Sequence, residues 1–392
     1  MKSVLNGVLL LSLVTAACSG DDPEITNAAA SGAGGSSTTT TTSSTSSGAT
    51  SSSNGSGGAT SSSSSGSGGN QGGGGQGGSG GVPTTVTECF ADDYVNPTMN
   101  GPDYDQFSPT VGSHCMGTNH QDITGIQRVV FLGDSITVGT PPTLSNDFYR
   151  AQLADQLAAK FGLAEPDFLW KAADPFNGTS ISKDSGDFSS CSKWGARTDD
   201  LLQDNSQALD CFPPEKLDQR TLVIMTMGGN DLASLTQNAI DGASMADLAA
   251  QVDTFVQLQR EAVQWFHEPG RFPNGVFVVF ANIYEFTDGT GDVQSCDVSG
   301  LAGFDEPVPS PMELAALVVH ANEQYLSIAV ETGSDMIFLL EDFCGHGFNS
   351  EDPAAPCYRG PNNENWFDLT CIHPNPTGHD HITDMFMAVV NE

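Results

Sequence analysis

The sequence predicts an α/β fold: a doubly wound, mainly parallel five-stranded sheet flanked by helices. Three observations predict it. Short apolar runs recur without clean polar–apolar alternation, the pattern of strands buried on both faces. Stretches with apolar residues at helical spacing separate these runs. Glycine-bearing turns, Gly133-Asp134-Ser135 and Gly228-Gly229-Asn230-Asp231, directly follow two of the runs. In a doubly wound sheet the carboxyl ends of strands are where sites form.

The five expected strands are 127–132, a weaker 167–171, 221–227, 275–283 and 335–340, each short and mostly rich in branched residues. The helices between them follow from periodicity. Residues 147–161 place Phe148, Leu153, Leu157 and Phe161 together. Residues 247–267 put Val252, Phe255, Val256, Val263 and Phe266 on one stripe, and 311–332 do the same with Leu314, Leu317, Val318, Ala321, Tyr325 and Ile328. Residues 375–390 form a last helix.

Not all of the 392 residues belong to this fold. Met1-Lys2 opens a short positive region, and residues 8–14 are apolar but too few to span a bilayer. Thr15-Ala16-Ala17 then precedes Cys18. Residues 1–17 therefore read as a signal peptide, and Cys18 as a lipid-anchor cysteine of the lipoprotein kind. Thr15 stands where the lipobox usually has leucine, and plain cleavage without lipid is the competing reading. Either way the chain is expected to be exported, as a cell-envelope lipoprotein or secreted. Residues 18–87 are dominated by Ser, Thr and Gly, cannot bury enough apolar surface to offset ordering entropy, and read as a tether. Residues 88–392 are long enough for one sizeable core.

The formal net charge is −35, with only 13 Lys and Arg. That argues against nucleic acid and anionic membrane surfaces as partners, and restricts membrane contact to the anchor at Cys18. An acidic surface favours solubility and suits saline surroundings. The stretch Asp288-Gly289-Thr290-Gly291-Asp292 lacks EF-hand spacing, so calcium is not expected there. Of nine cysteines, eight remain once Cys18 is set aside. An even set in an exported chain points to disulfides, and without a Cys-x-x-Cys pair a zinc site is not expected. Neighbour pairing would give 89–115, 191–211, 296–344 and 357–371, one of many connectivities.

The chemistry starts at Ser135, which ends a buried strand, and at His373, far downstream in Cys371-Ile372-His373-Pro374. A hydroxyl held in the open and a base to take its proton are the minimum for nucleophilic serine catalysis. Two further landmarks lie between them: Trp194-Gly195-Ala196-Arg197-Thr198-Asp199, and Gly228-Gly229-Asn230-Asp231 straight after a strand. This ordered set resembles the four blocks of the SGNH hydrolase superfamily, the GDSL esterases and lipases, across residues 127–390. The resemblance implies a flavodoxin-like three-layer sandwich and a serine esterase that needs no metal or organic cofactor. It implies Ser135 as nucleophile and His373 as general base and then acid. The oxyanion hole would comprise the backbone N–H groups of Ser135 and Gly195 and the side-chain amide of Asn230. A tetrahedral intermediate needs such donors, and glycine allows close backbone approach.

One position departs from that pattern. The family commonly has aspartate three residues before its histidine, where this chain has Thr370, while Asp368 lies five before. Three arrangements compete: a backbone carbonyl orients His373 in a Ser–His dyad, Asp368 reaches it through an altered turn, or Asp342 approaches from the fifth strand. The dyad is favoured.

Simpler roles stand beside these. Ser135 could be a helix N-cap, Asn230 and Asp231 could close a turn, and His373 could be a loop residue. Asp134 reads as a turn-fixing hydrogen-bonder, His379 and His381 as surface residues of the last helix, and His346 as a loop residue. Three close histidines lack supporting ligands at metal spacing. Trp194 reads equally as acyl-pocket lining or core. The segment 284–310 could cover the site, but it is not apolar enough for a lipid-interface lid, which favours short soluble acyl esters. Candidate substrates are acyl glycerols, phospholipids and acetylated polysaccharides, met by a monomer. The alternative from another class is a non-catalytic, tethered surface module that binds glycan.

Overall fold

The computed structural model describes residues 83–90, 101–203, 206–296, 299–302, 304 and 306–392. The expected leader, Cys18 and nearly all of the expected tether lie outside them. A six-stranded sheet organises the described residues, in the order β4-β5-β1-β6-β7-β8. These strands are β1 Arg128–Gly133, β4 Asp184–Ser185, β5 Phe188–Ser190, β6 Thr221–Thr226, β7 Val276–Ala281 and β8 Asp335–Ile337; β2 Ala173–Asp174 and β3 Thr179–Ser180 pair separately. Five strands run parallel, and β4 adds an antiparallel edge against β5. Numbered among themselves, the parallel strands follow the 2-1-3-4-5 order of doubly wound folds. That order reverses between β1 and β6, the switch point where such sheets open a crevice.

The sequence-based strand at 167–171 is absent. Asp167 caps a one-turn helix instead, Phe168–Lys171, by accepting a hydrogen bond from Trp170 N at 3.0 Å. The second parallel strand is β5, whose Phe-Ser-Ser sequence carries a single apolar residue. Polar partners satisfy its serines: Ser189 accepts from Arg128 at 2.7 Å, and Ser190 pairs with Ser192 at 2.8 Å.

Two helical layers cover the sheet. Residues Phe131, Ile224 and Val279 share one face through the parallel register. On that face Phe131 meets Tyr149, at the start of the helix Tyr149–Phe161, and the buried Trp170. Tyr149 in turn stacks on Phe386 of the last helix, Pro376–Asn391. Phe280 points to the opposite face, because side chains alternate along a strand. There it meets Tyr325 of the helix Pro311–Thr332, which packs beside Met245–Phe266. Every residue of β1 and β6 is buried, which accounts for the apolar runs 129–132 and 222–225 within them.

All eight described cysteines are bonded. Cys89–Cys115 and Cys191–Cys211 match the neighbour pairing, but the other four nest, Cys296–Cys371 enclosing Cys344–Cys357. The nesting follows from topology. The segment containing Cys296 runs over the carboxyl edge of the sheet, where the Cys371 turn also lies, while Cys344 and Cys357 close a local loop of 13 residues' separation. No helix among the described residues is long and apolar enough to cross a membrane.

Candidate active site

The site begins with the end of β1. Gly133 has φ +137°, and a Cβ there would collide with the Thr226 carbonyl oxygen, so only glycine lets β1 and β6 close together at this point. Its backbone is clamped on both polar atoms. Gly133 N donates to Gln207 Oε1 at 2.8 Å, and Gln207 Nε2 donates to Gly133 O at 2.9 Å. Asp134 then caps the short helix Ser135–Val138 by accepting from Ile136 N at 3.0 Å. Burial pushes its carboxyl up to about 7. The turn-fixing role expected for Asp134 is what these bonds describe, and Ser135 becomes the first helical residue.

The far end of that helix is held by Arg150, which is fully buried. Its guanidinium donates to the carbonyls of Thr137, Val138, Trp170 and Lys171, and lies 4.4 Å from the Trp170 ring centroid. Below Ser135, Thr137 Oγ1 meets Thr226 Oγ1 and Tyr149 OH, both at 2.6 Å. The nucleophile candidate therefore stands on a hydrogen-bonded floor.

The block around Gly195 is tied to both strand ends. Lys193 N donates to Gly133 O at 3.0 Å, on the β1 side. On the β6 side Asn230 Nδ2 donates to Ala196 O at 2.9 Å, and Thr198 donates through N and Oγ1 to the Asp231 carboxylate at 3.1 and 3.0 Å. Gly228, at φ +112°, starts the turn, and a Cβ there would meet Ile283 and the Tyr325 hydroxyl. Gly195 and Asn230 thus lie on neighbouring pieces of one bonded unit. Asp231 is a structural partner, its carboxyl raised to about 7 by burial. Trp194 is buried against Val138 and donates from Nε1 to Gly139 O at 3.1 Å, which is core packing.

His373 is 3% exposed and lies in a tight turn. Its Nε2 is 2.9 Å from Ser135 Oγ. Its Nδ1 is 2.8 Å from Thr370 Oγ1, which is 2.5 Å from Asp368 Oδ1. Asp368 also accepts from Thr370 N at 2.7 Å. The expected backbone carbonyl does not orient the ring; a hydroxyl occupies that place. Asp368 stands one residue further along the chain of bonds and does not touch the imidazole. Asp342 is elsewhere, 3.4 Å from His381 Nδ1. Burial holds the His373 imidazole down at about 4 and pushes the Asp368 carboxyl up to about 6.

The last helix presents His379, Ile382, Thr383 and Phe386 inward. His379 is thus buried, contrary to the surface position expected for it. Its Nδ1 accepts from Tyr149 N at 3.2 Å, and burial together with nearby His373 holds it down at about 3. Its three- and four-residue spacing from Ile382 and Thr383 was the available signal. His381 is half-buried and stacks on Trp366, whose other face meets His346, with centroids 3.6 and 3.4 Å apart.

A cavity of about 150 Å³ opens beside Ser135, Asn230 and His373. Its far walls are apolar: Leu232 and Ala233 after the Asn230 turn, Leu314 and Ala315 on the helix Pro311–Thr332, and Phe286 and Phe304 from the 284–310 segment. That segment is pinned by two acids, Asp288, which is buried, and Glu285, which is half-buried. Asp288 accepts from Gly345, Gly347 and Asn349 N at 2.8–2.9 Å, and Glu285 from Thr287 and Gly289 N at 2.6 Å. Tyr284 OH donates to Ile372 O at 2.5 Å, beside His373. Gln207, Arg150 and the hydroxyl of Thr370 are the site residues that motif reading did not single out.

Residues 131–381 match the family described as GDSL-like Lipase/Acylhydrolase. No curated protein matches the chain. Among solved structures, a gut microbial diltiazem-metabolizing enzyme is similar at 14% identity, over 70% of this chain and 49% of its own, with a TM-score of 0.42. The lipase Lip_vut3 from goat rumen metagenome has 14% identity, over 67% of this chain and 97% of its own, with a TM-score of 0.39. A two-domain esterase active on acetylated mannans, co-crystallized with mannopentaose, has 13% identity over 68% and 50%, with a TM-score of 0.36. The chain spans about half the length of the first and third of these.

Proposed function

The chain belongs to the GDSL-like lipase/acylhydrolase family, and from that premise we propose that it hydrolyses carboxylic esters through an acyl-Ser135 intermediate. The 2.9 Å approach of His373 Nε2 to Ser135 Oγ carries this reading. Ser135 Oγ bonds to the ester carbonyl carbon as its proton passes to Nε2. The resulting oxyanion takes hydrogen bonds from the N–H groups of Ser135 and Gly195 and from Asn230 Nδ2. A primary amide has two N–H donors, so Asn230 can serve Ala196 O with one and the oxyanion with the other. As the intermediate collapses, the alkoxide leaves with the proton from His373. Water then repeats the sequence on the acyl-enzyme and restores Ser135. The balance closes with water as the only co-reactant.

The walls of the cavity favour an ester with an apolar chain. Each buried methylene adds roughly 0.8 kcal/mol of transfer free energy, so a pocket walled by Leu232, Leu314, Phe286 and Phe304 is poorly used by acetate. This departs from the preference for short soluble acyl esters expected from composition, which had no view of how the 284–310 segment folds onto the site. The chain is proposed to act after export.

The test is a fluorophosphonate probe followed by p-nitrophenyl esters of increasing acyl length. Labelling lost in S135A, with kcat/KM rising from acetate to a medium chain, is expected. Folded wild-type protein that takes no label would return the chain to the reading of a non-catalytic glycan-binding module.

A further inference from the structure

We infer that Thr370 is a positioning residue that links His373 to Asp368, so that the carboxylate acts on the imidazole through a hydroxyl and not by direct contact. The inference rests on the Ser–His reading above and adds the device that keeps the base in its working tautomer.

With Nε2 as the proton acceptor and Asp368 ionised, the hydrogen-bond directions admit one consistent assignment. For Nε2 to accept the Ser135 proton, the neutral ring must carry its own proton on Nδ1. Nδ1–H then donates to Thr370 Oγ1 at 2.8 Å. A hydroxyl has one proton to give, and here it points to Asp368 Oδ1 at 2.5 Å. Thr370 Oγ1 also accepts from His373 N at 3.3 Å, which uses its second lone pair. One donor and two acceptor sites are therefore all engaged. Asp368, able only to accept when ionised, fixes the direction of the whole chain. With the carboxylate charge gone, the Thr370 proton is free to turn toward Nδ1, which would put the ring proton on Nε2, facing Ser135, and disable the base.

The turn is built to hold this order. Asp368 N donates to His373 O at 2.9 Å, and Asn375 N donates to Trp366 O at 2.8 Å, closing a hairpin-like loop. Cys371, with φ +73°, makes the reversal, and its disulfide to Cys296 anchors it. When His373 takes the serine proton, Nδ1–H stays where it is. The positive ring faces the Thr370 oxygen, and the Asp368 charge lies beyond, one hydroxyl away. No proton leaves Nδ1 at any step.

The test separates this arrangement from a merely structural threonine. In the wild-type protein near pH 7, 15N NMR of His373 should show the proton on Nδ1. T370S should keep kcat within about threefold. T370V, which keeps the shape without the hydroxyl, should lower kcat by about a hundredfold, less than the loss known for a wrong tautomer in a serine triad, with KM within about twofold and a mixed tautomer. D368N should cost about tenfold, and the double variant should be no worse than T370V, because the two residues act as one unit. A wild-type proton on Nε2 would overturn the inference without any variant having to fold. So would T370V with wild-type kcat, or losses that add in the double variant. Fluorophosphonate labelling of the wild type runs alongside: absence of label sinks the esterase reading itself, while the tautomer measurement stands apart from it.

Discussion

Cys296 and Cys371 are bonded to each other, which fastens the segment walling the cavity to the turn that carries His373. The bond spans 75 residues, whereas Cys344–Cys357 spans 13. Loop-closure entropy then assigns about 4 kcal/mol to the first and about 3 kcal/mol to the second. C296A/C371A should lower Tm more than C344A/C357A. It should also reduce kcat/KM, because both the chain-binding wall and the histidine turn lose their anchor. Calorimetry and ester turnover on the two double variants check this. Equal activity in both would mean that the long bond serves stability alone.

The acid limb of activity should belong to Asp368. His373 must be neutral to accept a proton, and at about 4 it is neutral above that pH. Asp368 must be ionised to hold the Thr370 proton, and at about 6 it is ionised only above that pH. Both conditions hold above the higher value, so kcat/KM should be full above pH 6 and fall as pH drops through it. In D368N the amide does not titrate, and the limb should move down toward 4. The pH dependence of kcat/KM reports the free enzyme. A limb that stays in place in D368N would assign it to another group.

Asn230 holds Ala196 O and is proposed to serve the oxyanion as well, and a single variant weighs the two tasks. N230A removes a donor to the oxyanion and also frees Ala196 O. Loss of one oxyanion donor typically costs about 10²–10³ in kcat. The same magnitude is expected here, with KM little changed and a Tm loss of only about 1 kcal/mol equivalent from one hydrogen bond. Steady-state kinetics beside thermal melting tells the two apart. A large fall in Tm with kcat within tenfold would make Asn230 a structural clasp.

Gln207 carries no motif, yet it satisfies both backbone groups of Gly133. In Q207M, a side chain of similar volume cannot do so. Gly133 O keeps the bond from Lys193 N, so Gly133 N alone is orphaned; one such buried group costs about 1–3 kcal/mol, and a loss in that range should appear in urea unfolding. Because Gly133 precedes Asp134 and Ser135, kcat should fall as well. Unaltered stability would show that the end of β1 holds without this clamp.

What the sequence discloses here depends on whether a residue is used by type or by position. Strands β1, β6 and β7 announce themselves because residues buried on both faces leave long apolar runs. β5 does not, since Ser189 and Ser190 are buried through polar partners, Arg128 of β1 and Ser192 two residues on. The 167–171 run misleads because five residues are too few to separate a strand from a capped helical turn. Ser135, Gly195, Asn230 and His373 stand out as blocks because the proposed chemistry calls for those types. Thr370 stands out only as a missing aspartate. That its hydroxyl bridges His373 and Asp368 depends on a turn closed by Cys371 at positive φ and by a disulfide whose partner the spacing of eight cysteines leaves open.

Ala315 gives the substrate reading its sharpest test. It lies on the helix Pro311–Thr332 and lines the cavity, so a larger side chain there narrows the pocket while Ser135 and His373 are themselves unaltered. A315W should leave the hydrolysis of p-nitrophenyl acetate nearly unchanged, since two carbons need little of the cavity. Longer acyl chains lose burial at roughly 0.8 kcal/mol per methylene excluded, and kcat/KM for them should fall by about fourfold for each. The signature is therefore a crossover: wild-type protein prefers the longer chain and A315W the shorter. Parallel decline for every chain length would mean that the substitution disturbs the fold, and thermal melting would reveal that. Unchanged preference in a well-folded A315W would place the apolar chain outside this cavity.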